Sequence, residues 1–221
     1  MNKRLSQKEK YKKKAYKYDT TVSLGPWTST DLIENPIHLT FVLARYKFVA
    51  RHFSGKKSVL EIGCGDAFGT PIVAQFVREL TAIDIDSSII ISNKNRLSTI
   101  KNIKFQEMDI RKAVPAGKYD GIFALDVIEH IESEYNDLFF RQILKCIKEK
   151  GILILGTPNQ TAERYASKRS REYHVNLQSY ESLKTMMNKY FRQVFMFTMN
   201  DEVVQTGYGP MGHYLFSIGV S

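Results

Sequence analysis

Val59-Leu60-Glu61-Ile62-Gly63-Cys64-Gly65-Asp66-Ala67-Phe68-Gly69 is an apolar run that breaks into a glycine-rich turn. Glycines at 63 and 65 let a backbone turn sharply and approach a ligand where any Cβ would collide, and Gly69 lets a following helix lie close to the strand. Asp84 closes a second apolar run 19 residues beyond Gly65. An acidic side chain at that strand end meets ribose hydroxyls. Strand, turn, helix and acidic strand end together predict a nucleoside site. The spacing is G-x-G-x-x-x-G, whereas a pyrophosphate seated on a helix N-terminus calls for G-x-G-x-x-G, which argues against a dinucleotide. Glu61 argues the same way, because a carboxylate repels a diphosphate and suits a cationic ligand.

Three further apolar runs end in polar residues. Ile103 to Met108 leads into Asp109-Ile110, and Tyr119 to Leu125 leads into Asp126-Val127-Ile128-Glu129-His130. Gly151 to Gly156 leads into Thr157-Pro158-Asn159. In an open α/β sheet, ligands bind at the carboxyl ends of the strands. With these segments in hand, the sequence resembles the class I S-adenosylmethionine-dependent methyltransferases over most of residues 36 to 220. LEIGCGDAFG resembles the first motif of that family, AIDID (82 to 86) its ribose-binding strand end, EMDI (107 to 110) its adenine-contacting segment, and YDGIFALDVIEHI (119 to 131) its fourth-strand motif. S-adenosylmethionine, with its ammonium and sulfonium, is the implied cofactor. The implied cofactor residues are Glu61, Gly63, Gly65, Asp84, Ile85, Asp109, Ile110, Leu125 and Asp126. The DVIEHI form is similar to the branch that includes ubiquinone-biosynthesis O-methyltransferases. SREYHVN (170 to 176) and NDEVVQTG (200 to 207) resemble methyltransferases encoded among bacterial surface-polysaccharide genes.

A chain of 221 residues with 43% hydrophobic residues can bury one full-sized α/β core. From Ser58 onward strands and helices alternate: strands near 58 to 62, 80 to 84, 103 to 108, 119 to 125 and 150 to 156, helices near 68 to 78, 87 to 98 and 135 to 149. That order predicts a parallel sheet with helices on both faces. Ahead of it, Leu39, Val42, Tyr46, Val49 and Phe53 recur at helical spacing after Pro36, which predicts an amphipathic helix over 38 to 53. After a helix near 179 to 190 come two strands, 194 to 199 and 213 to 220, with no helix between them, so they must pair antiparallel. The expected fold is therefore a single Rossmann-like α/β domain over 36 to 221, a mostly parallel seven-stranded sheet ending in an antiparallel hairpin. Residues 1 to 35 are expected to form a basic leader and, with Trp27 beside Gly25-Pro26 on a loop, a lid.

The net charge of +9 sits mainly in that leader, where residues 1 to 18 hold eight Lys or Arg against Glu9 alone. A solvated tail is the plain reading, and Tyr11, Tyr16 and Tyr18 among the lysines keep RNA contact open. RNA or protein as methyl acceptor is thus the runner-up to a small molecule, and a non-catalytic S-adenosylmethionine-binding protein is a third reading. The sequence sets no oligomeric state. No apolar run approaches a membrane span, and no secretory signal is recognisable, so a cytoplasmic location is expected. Cys64, in the turn, and Cys146, on an apolar helix face, are expected to pack in the core.

Methyl transfer to a hydroxyl needs the acceptor aligned and its proton removed. Either His130 or His174 is the expected base, since an ordinary imidazole titrates near neutral pH. The basic stretch from Asn159 to Asn176 is expected to be a long irregular substrate loop. Arg169, Arg171, Tyr173 and Asn176, with Trp27 of the lid, are its expected acceptor contacts. Arginine forks suit an anionic acceptor such as a sugar phosphate. Asp84, Asp86, Asp126 and Asn159 resemble a divalent-metal set, but Asp84 is claimed by ribose, so no metal is expected.

Overall fold

The computed structural model describes residues 6–10 and 21–221. Most of the basic leader, with Tyr11, Tyr16 and Tyr18, lies outside the described residues. Eight strands form one sheet in the order β3-β2-β1-β4-β5-β8-β6-β7. The parallel half comprises β1 (Ser58–Ile62), β2 (Glu79–Asp84), β3 (Ile103–Glu107), β4 (Tyr119–Leu125) and β5 (Ile147–Pro158). At its far side β8 (Tyr214–Val220) runs antiparallel between β5 and β6 (Gln193–Asn200). A three-residue strand, β7 (Val203–Gln205), pairs with β6 and makes eight strands where seven were expected. Because β1, β2 and β4 pair in parallel, the glycine turn, Asp84 and Asp126 emerge at one edge of the sheet.

Helices cover both faces. On one, α2 (Pro36–His52) buries Tyr46 and Val49, with Phe53 just beyond it, against Phe123, Ile154 and Phe216. On the other, α5 (Asn136–Cys146) and α7 (Tyr180–Asn188) bring Phe139, Ile143, Leu183 and Met187 onto Leu60, Ile122 and Leu153. Each such side chain, taken wholly out of water, contributes about 1.5–3 kcal/mol. Cys64 and Cys146 are both buried free thiols, in keeping with their expected core roles. Among the described residues, no helix is long and apolar enough to cross a membrane.

Several local expectations change. The segment at Trp27, read as a loop, is the helix α1 (Pro26–Glu34), with Pro26 in its first turn where no amide hydrogen is needed. The helix after the glycine turn shortens to α3 (Thr70–Ala74), and α4 (Ser87–Arg96), capped by Asp86, ends two residues early. The expected helix to residue 149 stops at Cys146 because Ile147 pairs with Tyr119 and starts β5. The stretch from 159 to 176 is not irregular: a 3₁₀ turn (Gln160–Tyr165) precedes α6 (Lys168–Tyr173), whose N-terminus Ser167 caps through the Ser170 amide.

Candidate active site

The turn after β1 depends on left-handed backbone. Gly63 and Gly65 have φ of 72° and 50°, and a Cβ on Gly65 would lie 2.6 Å from the Trp27 ring. Asp84 braces the turn: one carboxylate oxygen accepts from the Gly65 amide at 2.9 Å, the other from the Asp86 amide at 3.0 Å. Asp66 fastens α1 over it, accepting from the Thr28 amide at 2.8 Å and the Thr28 hydroxyl at 2.9 Å. Arg96 adds a bond to the Asp66 carbonyl at 2.6 Å. Trp27 is thereby held against the glycine turn, on a docked helix.

A cavity of about 600 Å³ opens at this edge. Gly63, Gly65, Asp84, Ile85 and Trp27 line one end, and Asp126, His130, Tyr173 and His174 line the other. Asp109 and Ile110 lie between them. Sequence reasoning missed Ile62, Asp86, Met108, Arg111, Val127, Ile131 and Ser170, which also line it. All seven lie within three residues of an expected site residue, so the motifs marked the segments but not every side chain that faces the cavity.

Four expected contacts lie elsewhere. Glu61 does not line the cavity: it is buried and accepts from the Tyr46 hydroxyl at 2.8 Å. Burial pushes its carboxyl up to about 8, so the fixed negative charge expected of it is lost at neutral pH. Leu125 packs in the core. Asn176 is buried and ties its loop down by donating to the Asn136 side chain at 2.8 Å and the Ile128 carbonyl at 3.2 Å. Arg171 is exposed and does not face the cavity. Arg169 falls on α6, and its side chain lies outside the described part of the structure. Asp109 keeps its place, but Arg111 grips its carboxylate through Nε at 3.0 Å and a terminal nitrogen at 3.1 Å. Those bonds hold Asp109 below the usual carboxylate range.

The other end of the cavity is assembled from distant segments. Asp126 sits at φ 56° just past β4 and accepts from Arg45 of α2 at 2.8 Å. The Arg45 guanidinium lies 3.9 Å over the Tyr214 ring, which shields it from water. Glu129, in the 3₁₀ turn Ile128–His130, is fully buried and accepts from the Thr157 hydroxyl at 3.0 Å. Burial, then the Asp126 charge, pushes its carboxyl up to about 8. His130 donates through Nδ1 to the Tyr173 carbonyl at 3.1 Å, and its ring centroid is 5.0 Å from that of His174. Partial burial and the neighbouring His130 lower the His174 pKa, which keeps that imidazole neutral and able to accept a proton at pH 7.

The residues present fit a nucleoside laid against an apolar wall. Gly63 and Gly65 leave a cradle that Cβ atoms would fill, Asp84 is held in place by backbone donors, and Met108, Ile110 and Ile131 give apolar wall. Fold and cavity together define an α/β domain of the methyltransferase class. The methyltransferase domain family matches residues 38–190, and the chain belongs to that family. The ubiquinone biosynthesis O-methyltransferase of Rickettsia bellii (strain OSU 85-389) is 28% identical over 136 residues, 59% of this chain and 54% of that one. The chain spans about half the length of the curated relatives it matches. Among solved structures, the N-methyltransferase NodS from Bradyrhizobium japonicum WM9 superposes with a TM-score of 0.64 at 18% identity, covering 85% of this chain and 98% of NodS. A SAM-dependent methyltransferase from Archaeoglobus fulgidus gives 0.64 at 18% identity over 81% of this chain and 93% of its own. At such identities the likeness is one of fold.

Proposed function

We propose that the protein is an S-adenosylmethionine-dependent methyltransferase that methylates a hydroxyl of a small anionic acceptor. One observation carries this reading: a single cavity runs from the glycine turn and Asp84 to a pair of imidazoles. When bound, the cofactor supplies a methyl group on a sulfonium, ready for in-line displacement. Asp84 would take ribose hydroxyls with the lone pairs that Gly65 and Asp86 leave free, while Asp109 and Ile110 flank the base. Asp126, held in place by Arg45, would face the amino-acid part or the acceptor hydroxyl. His174, neutral at pH 7, or His130 beside it, would draw the acceptor's proton. Trp27, on its docked helix beside Gly65, would cover part of the cofactor end.

The acceptor class rests on the charge near α6. Arg164, Lys168 and Arg171 are exposed there, outside the cavity lining but in the same segment as Ser170, Tyr173 and His174 that line it, a setting for phosphate or carboxylate. With the resemblance of residues 170 to 176 and 200 to 207 to surface-polysaccharide methyltransferases, they favour a sugar, a sugar phosphate or a phosphorylated polysaccharide precursor. Incubating the protein with methyl-labelled cofactor and a panel of sugar phosphates, and reading the products by mass spectrometry, tests this. A labelled, alkali-stable methyl ether on a sugar is the expected product. Label appearing only in added RNA or protein would replace the small-molecule acceptor with the macromolecular one.

A further inference from the structure

We propose that Glu129, His130 and His174 form a binding site for a divalent transition-metal cation at the acceptor end of the cavity. One potential ligand atom from each residue lies within 4.8 Å of the other two. Donors about 2.1 Å from a shared ion stand roughly 3 to 3.5 Å apart, so side-chain rotations of about 1 Å would close the set. A carboxylate with two imidazoles, open to the cavity on the remaining side, is the donor set of a three-ligand site with free positions for substrate. Its nitrogen content selects zinc, iron, manganese or cobalt over calcium and magnesium, which prefer oxygen. This cluster shares no residue with the acidic set Asp84, Asp86, Asp126 and Asn159 from which the sequence led us to expect no metal.

A second, independent observation points to a ligand. Glu129 is fully buried, and its Oε1 has no hydrogen-bond partner although Oε2 is satisfied by Thr157. A buried carboxylate oxygen without a donor is costly unless something cationic meets it. Outer contacts also orient the ligands as metal sites require. A carbonyl can only accept, so the bond to Tyr173 puts the hydrogen on His130 Nδ1 and leaves the lone pair on Nε2. The Val175 and Asn176 amides both donate to the Glu129 carbonyl, at 2.8 and 3.0 Å, which clamps the residues just after His174 onto the turn carrying Glu129 and His130. The three ligands are therefore brought together by bonds that need no ion.

The consequence for chemistry rests on the methyltransferase reading; the binding itself does not. A cation here would withdraw electrons from an acceptor hydroxyl, whose proton passes to water. The oxygen then bonds to the methyl carbon as the carbon–sulfur bond breaks and its electron pair stays on sulfur. With the ion bound, His130 and His174 would serve as its ligands in place of the base role they have without it, and the proton would go to solvent.

Cobalt(II) titration of the full chain, followed by visible absorption, tests the site, with S-adenosylhomocysteine binding measured on the same samples. One saturable equivalent displaced by zinc is expected, with affinity falling at least tenfold in His130→Ala and in His174→Ala and unchanged in His52→Ala. Glu129→Gln, which keeps the buried volume, should weaken it as well. Cofactor product binding without saturable cobalt or zinc uptake would overturn the proposal, as would uptake that survives both cavity histidine substitutions. Cobalt bound at this site by a protein that neither binds S-adenosylhomocysteine nor transfers methyl would uphold the metal site and refute the methyltransferase reading.

Discussion

The two ends of the cavity are built differently. At the glycine turn, the backbone bends and its brace lie in one strand-turn-helix-strand unit, and Asp84 reaches back 19 residues to the Gly65 amide. At the imidazole end, His130 meets Tyr173 43 residues away, and Asp126 meets Arg45 across 81 residues. The first end is a local device that survives as spacing in the sequence. The second exists only once α2, β4 and the segment after β5 have packed together. Cofactor binding should therefore respond to changes in one contiguous unit, and turnover to changes scattered along the chain.

The largest effect that would break this division is at His174. His174→Ala should lower turnover about a hundredfold or more, while calorimetry finds S-adenosylhomocysteine affinity within about twofold of the original. Loss of both together would mean the two ends are not separable. Arg45→Met removes one partner of a largely buried ion pair. Wholly buried pairs cost about 3–5 kcal/mol when broken, but the Asp126 side chain is 37% exposed, so about 2 kcal/mol is expected in urea unfolding. An unchanged midpoint would remove Arg45 from the framework of the imidazole end.

Asp84→Ala should weaken S-adenosylhomocysteine binding by about 1.5 kcal/mol, roughly tenfold, through lost charge-assisted bonds. Unaltered affinity would take Asp84 out of the site. The smallest effect sharpens the contrast between local and distant bonds. Asp109, held below its ordinary pKa by Arg111 two residues on, contributes stability present above about pH 4 and lost as pH falls through its lowered folded value. Asp109→Asn should therefore cost about 1 kcal/mol at pH 7, and the difference from the original protein should vanish on acidification. A difference that persists at pH 2 to 3 would assign the cost to packing.

Legibility followed the same division. The alternation from β1 to β5, the turn and Asp84 could be read because apolar periodicity and glycine spacing are local properties. Asp126 and His130 could be placed because they end a strand whose carboxyl edge was predictable. Glu61 misled because its position in the strand was read as facing the ligand, while its partner, Tyr46, belongs to a helix 15 residues upstream. Asn176 misled in the same way, since its amide is used on Asn136 and Ile128 rather than on a ligand. Arg45 left no signal: a basic residue on an amphipathic helix reads as solvent-facing until Tyr214 and Asp126 are seen to enclose it. The residues around Trp27 read as a loop because Gly-Pro suggests one, yet proline suits a first helical turn, and the Asp66 bonds to Thr28 fix the helix there.

The central claim is that the local unit holds S-adenosylmethionine at one end of a cavity whose other end does the acceptor chemistry. Titration calorimetry of the full chain with S-adenosylhomocysteine, repeated in the presence of NAD, tests it most directly. The account predicts saturable one-to-one binding that NAD does not displace and that Asp84→Ala weakens. Tight NAD binding with no heat from S-adenosylhomocysteine would contradict it.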